Sequence, residues 1–431
     1  TPIAEGRLIE NQSLIANSNY PRMVIITNKQ LLPSAQEFAD YRNGVSPELR
    51  ASVFTQEAIF NRYSGGASDA VAIRDFLIDL RNRANRNSFD EPAYLLFFGD
   101  ATYDPKGINQ DASLENEVIT FQTVESLDRI NSYGTDDFFG LLDPNEGPMR
   151  NQSERVDIGI GRLPITSASE AQIVLNKIRV YENPASFGSW RNEFTFLADD
   201  ELNGSENDGD LHVLNADGTA IRMDIANTGI RFNKIYLPSY PVVTTAEGRR
   251  VPGARNDLIR SINSGSLVIN YSGHGAEQVL SAERVFRSED IPSLTNAEKP
   301  TIFVTATCSF GRYDDDLEQS GAEKLVLYNG GGAVASFTTT RVVYTSSSTV
   351  GANNFSLNIL LSRNMIERDQ EGRPKRLGDI YRDTKATSTG SAVNSRKFIL
   401  LGDPSMRVGL ADQLDRPSQV NQVAIQTDTA R

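Results

Sequence analysis

Short apolar runs alternate with helix-like segments along most of this chain. Tyr94–Phe98 and Ala333–Phe337 are continuous runs of aliphatic, aromatic or small residues, which is typical of strands buried on both faces. The segments between such runs carry apolar residues at helical spacing, and Ile73, Phe76 and Leu80 fall on one face of a predicted helix. Strands that alternate with helices predict parallel α/β sheets flanked by helices.

Two segments carry the pattern of a capping box, a serine followed three residues later by a glutamate, which marks the start of a helix. Ser34 with Glu37 predicts the start of one helix. Ser167 with Glu170 predicts the start of another, which ends before Pro184.

The length of 431 residues predicts either two α/β domains or one domain built from two similar halves, each with its own parallel sheet. Leu95–Asp100 and Phe398–Asp403 share a strand followed by Gly and Asp, which is weak evidence of duplication. The predicted divisions are a lead-in segment over 1–21, a first subdomain over 22–185, a second, catalytic subdomain over 190–408, and a tail or linker over 409–431.

The formal net charge of -13 argues against nucleic-acid binding, which needs clustered Lys and Arg. No stretch approaches the roughly 20 apolar residues that span a bilayer. The first residues also lack the charged and apolar regions of a signal peptide. We therefore expect a folded chain whose partners are not nucleic acids.

The sequence contains a single cysteine, Cys308, which excludes an internal disulfide framework and a thiolate metal cluster. His274 and Cys308 each follow a predicted strand. If those strands are neighbours, the two side chains emerge together at the carboxyl edge of the sheet. A thiol beside an imidazole is the arrangement that a cysteine nucleophile and its base require. The alternative, which stays open, is a small buried cysteine and a hydrogen-bonded turn histidine.

Further groups are predicted to support this pair. Gly275 permits close approach of a substrate, and its backbone N–H, together with that of Cys308, would stabilise an oxyanion. Asp199 and Asp200 follow a predicted strand, and we take Asp200 as the carboxylate that orients His274. Solvated loop carboxylates are the alternative for both aspartates.

Other chemistries have weaker support in the sequence. Two histidines and one cysteine cannot form a zinc site without carboxylates, and neither His-Glu-x-x-His nor Gly-x-Ser-x-Gly occurs. The second histidine, His212, lies in a polar loop and is predicted to shape the site or the surface rather than to act as the base. The acidic loop Asp199–Asp210 leaves calcium binding open, although its spacing fits no EF-hand. We expect no metal ligands and no required cofactor.

Several motifs resemble one enzyme family. Tyr271–Gly275, with the sequence Tyr-Ser-Gly-His-Gly, and Ala306–Cys308, with the sequence Ala-Thr-Cys, resemble the gingipain-like cysteine peptidases, which are related to the caspases. Gly161–Pro164 resembles the end of that family's first subdomain, and Phe398–Pro404 resembles its closing strand. The resemblance covers about residues 22–408.

The resemblance implies a caspase-like (gingipain-type) α/β fold in two similar subdomains, with Cys308 attacking the scissile carbonyl and His274 assisting departure of the amine. Within the family, Thr338–Tyr344, Thr135–Asp143 and Leu400–Pro404 are most similar to the sortase of type IX secretion. Such an enzyme removes carboxy-terminal sorting domains from secreted cargo through a thioester. It works at the extracellular face of the bacterial outer membrane, as part of a larger protein.

The implied partners are cargo proteins, outer-membrane secretion components and a surface glycolipid whose amine would resolve the thioester. Two alternatives remain open. One is a plain secreted gingipain-like peptidase that uses water, and the other is a non-catalytic surface binding module with the same fold.

The substrate pocket is predicted from the strand at Ala333–Phe337, which should lie next to the strand that carries Cys308. Its continuation would bring Thr340, Arg341 and Tyr344 to the pocket for the residue before the cut. Arg341 would repel a basic side chain there, or would instead turn to solvent or pair with a nearby carboxylate. Gingipains cut after Arg or Lys through an acidic residue, and Asp210 lies in the corresponding region. We predict a preference for small or polar residues.

Overall fold

The structure is a computed structural model. It describes residue 14 and residues 20–108, 117–125, 128, 131–147, 149, 154–200, 202–203, 206–225, 229–346, 348, 353–388 and 392–410. Most of the predicted lead-in and tail therefore lies outside the described residues. Within the described part, the helices are too short or too polar to cross a membrane.

Ten strands of the described residues form one sheet, in the order β6-β5-β7-β8-β9-β10-β4-β3-β1-β2. Neighbouring strands are parallel, except that β9 and β10 are antiparallel. The strands are β1 (Met23–Thr27), β2 (Ser52–Thr55), β3 (Tyr94–Phe98), β4 (Gly159–Leu163), β5 (Glu193–Ala198), β6 (Arg231–Tyr236), β7 (Val268–Ser272), β8 (Thr301–Ala306), β9 (Ala333–Thr339) and β10 (Phe398–Leu401).

Helices flank this sheet and connect its strands. In the described residues they are α1 (Leu32–Val45), α2 (Gln56–Tyr63), α3 (Ala70–Arg86), α4 (Ala168–Glu182), α5 (Leu211–Ile225), α6 (Pro252–Ser264), α7 (Gly321–Leu327), α8 (Asn354–Ile366), α9 (Leu377–Thr387) and α10 (Ala392–Lys397).

Short elements occupy the loops. Two-residue and three-residue strands pair as Phe121–Gln122 with Gly134–Thr135, Leu202–Asn203 with Glu206–Asn207, Val243–Thr245 with Gly248–Arg250, and Gly275–Ala276 with Val279–Leu280, which also pairs with Phe286–Arg287. Short 3₁₀ turns span Pro47–Leu49, Asp137–Gly140, Pro184–Ser186, Ser189–Asn192, Leu237–Ser239 and Ser288–Ser293.

The central strands form the core of the molecule. Every residue of β1, β3, β7, β8 and β9 is buried. Strands covered by helices on both faces need apolar side chains on both faces, which explains the continuous apolar runs in the sequence. The predicted alternation of strands and helices is confirmed.

The two halves of the chain share one sheet, whereas the sequence predicted a separate sheet in each half. The closing strand β10 lies between β9 of the second half and β4 of the first. It pairs with both, through Leu401 to Ser336 and through Leu401 to Arg162. If the halves formed separate sheets, β9 and β4 would be unpaired edge strands, and β10 pairs with both of them.

One of the two helix starts predicted from a capping box was wrong, and neither reciprocal box forms in full. Helix α1 begins at Leu32 with Pro33 in its first turn, so Ser34 already lies inside the helix. Helix α4 begins as predicted, because the Ser167 hydroxyl accepts a hydrogen bond from the Glu170 backbone at 3.3 Å. The Glu170 carboxylate, however, accepts from the Thr166 backbone at 2.7 Å.

Candidate active site

His274 and Cys308 lie beyond neighbouring strands at the carboxyl edge of the sheet. Strands β7 and β8 are adjacent and parallel, and their last paired residues are Ser272 and Ala306. His274 and Cys308 each lie two residues past that pair. The predicted neighbourhood of the two strands is confirmed, and it places both residues in corresponding loops.

The Cys308 thiol is half-buried. It packs against Val343, Leu357 and Phe398, and Sγ lies 3.8 Å from the backbone oxygen of Val343, to which it donates a hydrogen bond. Burial raises the pKa of the Cys308 thiol above its ordinary value, although the charge of the nearby Lys397 acts in the opposite direction.

Lys397 is a fully buried cation close to this thiol. Its Nζ donates to the backbone oxygen of Val342 at 2.6 Å and lies 5.7 Å from the ring centroid of Tyr133. Burial lowers the pKa of Lys397 to about 8, and the charge of Cys308 acts to raise it. Below that pH, the ammonium favours the thiolate form of Cys308.

One carboxylate oxygen binds both histidines of the chain. Oδ2 of Asp208 lies 2.6 Å from Nε2 of His274 and 3.0 Å from Nε2 of His212. Partial burial acts to raise the pKa of Asp208, but the hydrogen bonds and charges of the two imidazoles outweigh it and hold the pKa below its ordinary value. Asp208 therefore stays ionised and fixes the His274 ring.

His212 lies in the first turn of α5 and is buried, with its ring edge-on to that of His274 at a centroid distance of 5.0 Å. Burial and the neighbouring His274 lower the pKa of His212. A neutral His212 that contacts both Asp208 and His274 agrees with the predicted role of shaping the site.

Asp199 holds the backbone of the His274 loop. Its Oδ2 accepts from the His274 backbone N–H at 2.9 Å and lies 3.1 Å from the Tyr271 hydroxyl. The same hydroxyl donates to the His274 backbone oxygen at 2.6 Å. Burial raises the pKa of Asp199 to about 7.

The predicted role of Asp200 is corrected by this geometry. Its Oδ2 pairs with Arg249 at 2.6 Å, and Arg249 also reaches Glu283 at 3.4 Å. The carboxylate that is hydrogen-bonded to the His274 ring belongs to Asp208, because the loop after β5 directs Asp200 toward Arg249. Asp199, Asp200 and Glu283 form a buried acidic group. Calcium binding by the loop Asp199–Asp210 stays a prediction.

Packing within the protein requires glycine at position 275, while the predicted close approach of a substrate stays a prediction. A Cβ atom at this position would lie 2.6 Å from Oγ1 of Thr307 and 3.1 Å from the backbone oxygen of Val279. The residue after His274 therefore packs directly on the residue before Cys308. The proposed oxyanion contacts of Gly275 and Cys308 stay predictions.

A polar cleft of about 590 Å³ lies beside Cys308. Its lining includes Ser309, Glu277, Arg312, Arg341 and Val342. As predicted, β9 lies next to β8, and its continuation brings Arg341 to this wall. The cleft carries charged groups of both signs.

The other predicted pocket residues take different places. Thr340 is fully buried, and its hydroxyl donates to the Gly134 backbone oxygen at 3.1 Å, so it supports the wall from behind and does not line the cleft. Tyr344 is 55% exposed, and its backbone is bound by Asn394. Asp210 is exposed just before α5, and its role as an acidic pocket residue stays a prediction.

Sequence reasoning missed Asp208 and Lys397. Asp208 and His212 are four residues apart across the start of a helix, a spacing that brings their side chains together. No sequence pattern pointed to Lys397, because its proximity to Cys308 depends on the long-range pairing of β9 with β10.

The fold and the site define a class, an α/β protein whose sheet presents a cysteine and a carboxylate-bound histidine in the loops after two neighbouring strands. The profile of peptidase family C25 matches residues 16–409. The chain therefore belongs to peptidase family C25, the gingipain family, and it is a cysteine peptidase. This confirms the predicted enzyme class.

The fold is similar to those of solved gingipain structures. The crystal structure of the Arg-specific cysteine proteinase gingipain R aligns with a TM-score of 0.67 and 18% identity, over 91% of this chain and 79% of that chain. A complex of the RgpB pro- and mature domains from Porphyromonas gingivalis aligns with a TM-score of 0.62 and 19% identity, over 90% and 79%. These likenesses confirm the predicted caspase-like fold.

Dimeric latent PorU from Porphyromonas gingivalis aligns with a TM-score of 0.47 and 22% identity, over 90% of this chain and 30% of that chain. No match is found among curated protein sequences.

Proposed function

We propose that Cys308 is the nucleophile of this peptidase and His274 its acid/base partner. A cysteine peptidase needs a thiolate nucleophile, and this sequence contains one cysteine. That single cysteine, placed beyond a strand in register with the strand of His274, is the observation that carries the proposal.

The proposed acylation uses both nitrogens of the His274 ring. Nε2 is bound to Asp208, so Nδ1 is the nitrogen that we assign to proton exchange with the thiol. Nδ1 accepts the thiol proton while Sγ attacks the scissile carbonyl carbon. The C–N bond then breaks, the same proton passes to the departing amine, and a thioester remains on Cys308.

We further propose that this peptidase is a sortase for type IX secretion cargo. The support is the similarity of Thr338–Tyr344, Thr135–Asp143 and Leu400–Pro404 to segments of PorU. In this proposal, the enzyme removes carboxy-terminal sorting domains at the extracellular face of the outer membrane, with secretion components as partners. An amine of a surface glycolipid then resolves the thioester.

The cleft beside Cys308 supports a preference for small or polar residues before the cut. Arg341 on its wall pairs with Asp314 and Arg312 pairs with Asp315, so neither arginine is an unpaired cation, and polar groups together with Glu277 and Asp128 form much of the remaining lining. A strongly basic preference would need an unpaired carboxylate at the base of the cleft.

Incubation with a purified cargo protein and a small primary amine tests the proposal. The sortase interpretation predicts a shortened cargo whose new carboxy terminus carries the amine as an amide, as measured by mass spectrometry. A plain peptidase gives only the free carboxylate, because water resolves the same thioester. The Cys308→Ala protein is the control, and cleavage by that variant contradicts the proposal.

A non-catalytic binding module was the other alternative that the sequence left open. It predicts that neither a cargo protein nor an unstructured peptide is cut, while cargo is still bound. The paired Asp208 and His274 side chains favour the enzyme, because a binding module has no need for an oriented imidazole.

A further inference from the structure

We propose that Asp208, His212 and His274 form a binding site for Zn²⁺, and that zinc bound there reversibly blocks the peptidase. The blocking effect rests on the proposed role of His274, whereas the binding site rests on the geometry alone.

The three donor atoms already converge. Nε2 of His274 and Nε2 of His212 lie 2.6 and 3.0 Å from Oδ2 of Asp208. All three residues can offer one ligand atom each within 4.8 Å of the others. Zinc ligands at about 2.0–2.2 Å in a tetrahedral site lie roughly 3.4 Å apart. Shifts of about an ångström would therefore complete the site.

The donor set suits zinc rather than calcium or magnesium. Zn²⁺ is held by two imidazoles and one carboxylate in many open sites, with water in the fourth position. Calcium and magnesium prefer all-oxygen ligands. Two histidines cannot form a zinc site without a carboxylate, and in the fold Asp208 supplies that carboxylate.

The surroundings predict reversible binding. The side chains of His274 and Asp208 are 30% and 20% exposed, which gives an ion access from solvent. Nδ1 of His212 is buried and has no hydrogen-bond partner among the described residues. A missing partner on a ligating histidine weakens metal affinity by roughly 10- to 100-fold. We therefore expect a regulatory site rather than a permanent structural one.

Zinc on this site would stop acylation through the tautomer of His274. A neutral imidazole that binds zinc through Nε2 carries its single proton on Nδ1. Nδ1 then has no lone pair to accept the thiol proton, so Cys308 stays a thiol. No bond breaks in this step, and a chelator restores the original hydrogen bond to Asp208.

Titration of the Cys308→Ala protein with zinc chloride, followed by calorimetry, tests the site directly. This variant keeps all three proposed ligands and removes the sulfur as a competing one. We expect one zinc ion per chain, and affinity lowered more than about tenfold by adding His212→Ala or Asp208→Asn. The matched control is Asp210→Asn, an exposed carboxylate two residues away, which should leave the affinity unchanged.

Thermal melting shows whether each variant is folded, and Asp208→Asn keeps the test valid if the buried His212→Ala fails to fold. Absence of binding in Cys308→Ala overturns the proposal, and so does binding that Asp208→Asn leaves unchanged.

Peptide hydrolysis by the wild type should fall with added zinc and return with EDTA. Zinc that binds without slowing hydrolysis overturns the blocking step alone. A wild type that never hydrolyses peptides contradicts the proposed function but leaves the calorimetric result intact.

Discussion

Arg341 and Asp314 form a two-armed ion pair on the wall of the cleft beside Cys308, with nitrogen–oxygen distances of 2.7 and 2.6 Å. The Asp314 side chain is fully buried and that of Arg341 is 16% exposed. The sequence left three possibilities open for Arg341, which were repulsion of basic substrates, exposure to solvent and pairing with a carboxylate. The structure shows the pairing.

We expect Arg341→Met to lower the free energy of unfolding by about 3 kcal/mol, because it leaves a buried carboxylate without its partner. The matched control is Arg312→Met in the same cleft. Its pair with Asp315 is more exposed, so its loss should cost less than about 1 kcal/mol. Chemical denaturation measures both values, and equal losses would contradict the assigned importance of the Arg341 pair.

The cleavage profile of a peptide library should be dominated by small or polar residues before the cut, since the cleft is lined mainly by polar groups and each of its two arginines is paired with a carboxylate. Sequencing of the cleaved products gives this profile. A profile dominated by Arg or Lys would contradict the expectation and would favour an acidic pocket centred on Asp210.

Asp208→Asn should lower kcat by about 100-fold, because an amide neither fixes the His274 tautomer nor stabilises the imidazolium. Steady-state kinetics with a peptide substrate measure the loss. Asp210→Asn and Asp200→Asn serve as controls, and both should retain most of the activity. A larger loss for Asp200→Asn than for Asp208→Asn would restore the role that the sequence assigned to Asp200.

The rate of Cys308 alkylation by iodoacetamide should rise with pH up to values above the ordinary thiol pKa, because burial raises the pKa of this thiol and only the thiolate reacts. The charged form of Lys397 lowers the Cys308 pKa. Lys397→Met should therefore raise that pKa further and slow alkylation at pH 7. The control is Lys299→Met, since Lys299 precedes β8 at the opposite edge of the sheet. Faster alkylation in Lys397→Met would contradict the assigned sign.

Gly275→Ala should reduce peptide hydrolysis more than about tenfold with little change in KM, because its Cβ displaces Thr307, the residue before the nucleophile. Adding Thr307→Ala removes the closest clashing atom and should restore part of kcat. Full activity of the single variant would show that the His274 and Cys308 loops tolerate separation.

Much of the fold could be predicted from local sequence signals. Apolar runs such as Ala333–Phe337 identify buried strands, because both faces of the sheet are covered. The single sheet could not be predicted, since β10 carries no local mark of its position between β9 and β4. Strand order depends on packing between distant segments.

The candidate site shows the same division. His274 and Cys308 could be found because each directly follows a strand, and parallel neighbours bring such residues to one edge. Asp208 follows Glu206–Asn207, a two-residue strand that no sequence pattern predicted, whereas Asp200 follows the predicted strand at Phe194–Leu197 and was therefore the predicted partner. Only the folded loop shows that Arg249 engages Asp200 and leaves the imidazole to Asp208.

In the proposed mechanism, Cys308 is the nucleophile and His274 activates it. Labelling with an active-site-directed acyloxymethyl ketone, followed by mass spectrometry of the modified peptide, tests both roles. We predict one adduct on Cys308 in the wild type, formed about 100-fold more slowly after His274→Ala. Equal labelling rates in the two proteins, or peptide hydrolysis that persists in Cys308→Ala, would contradict this mechanism.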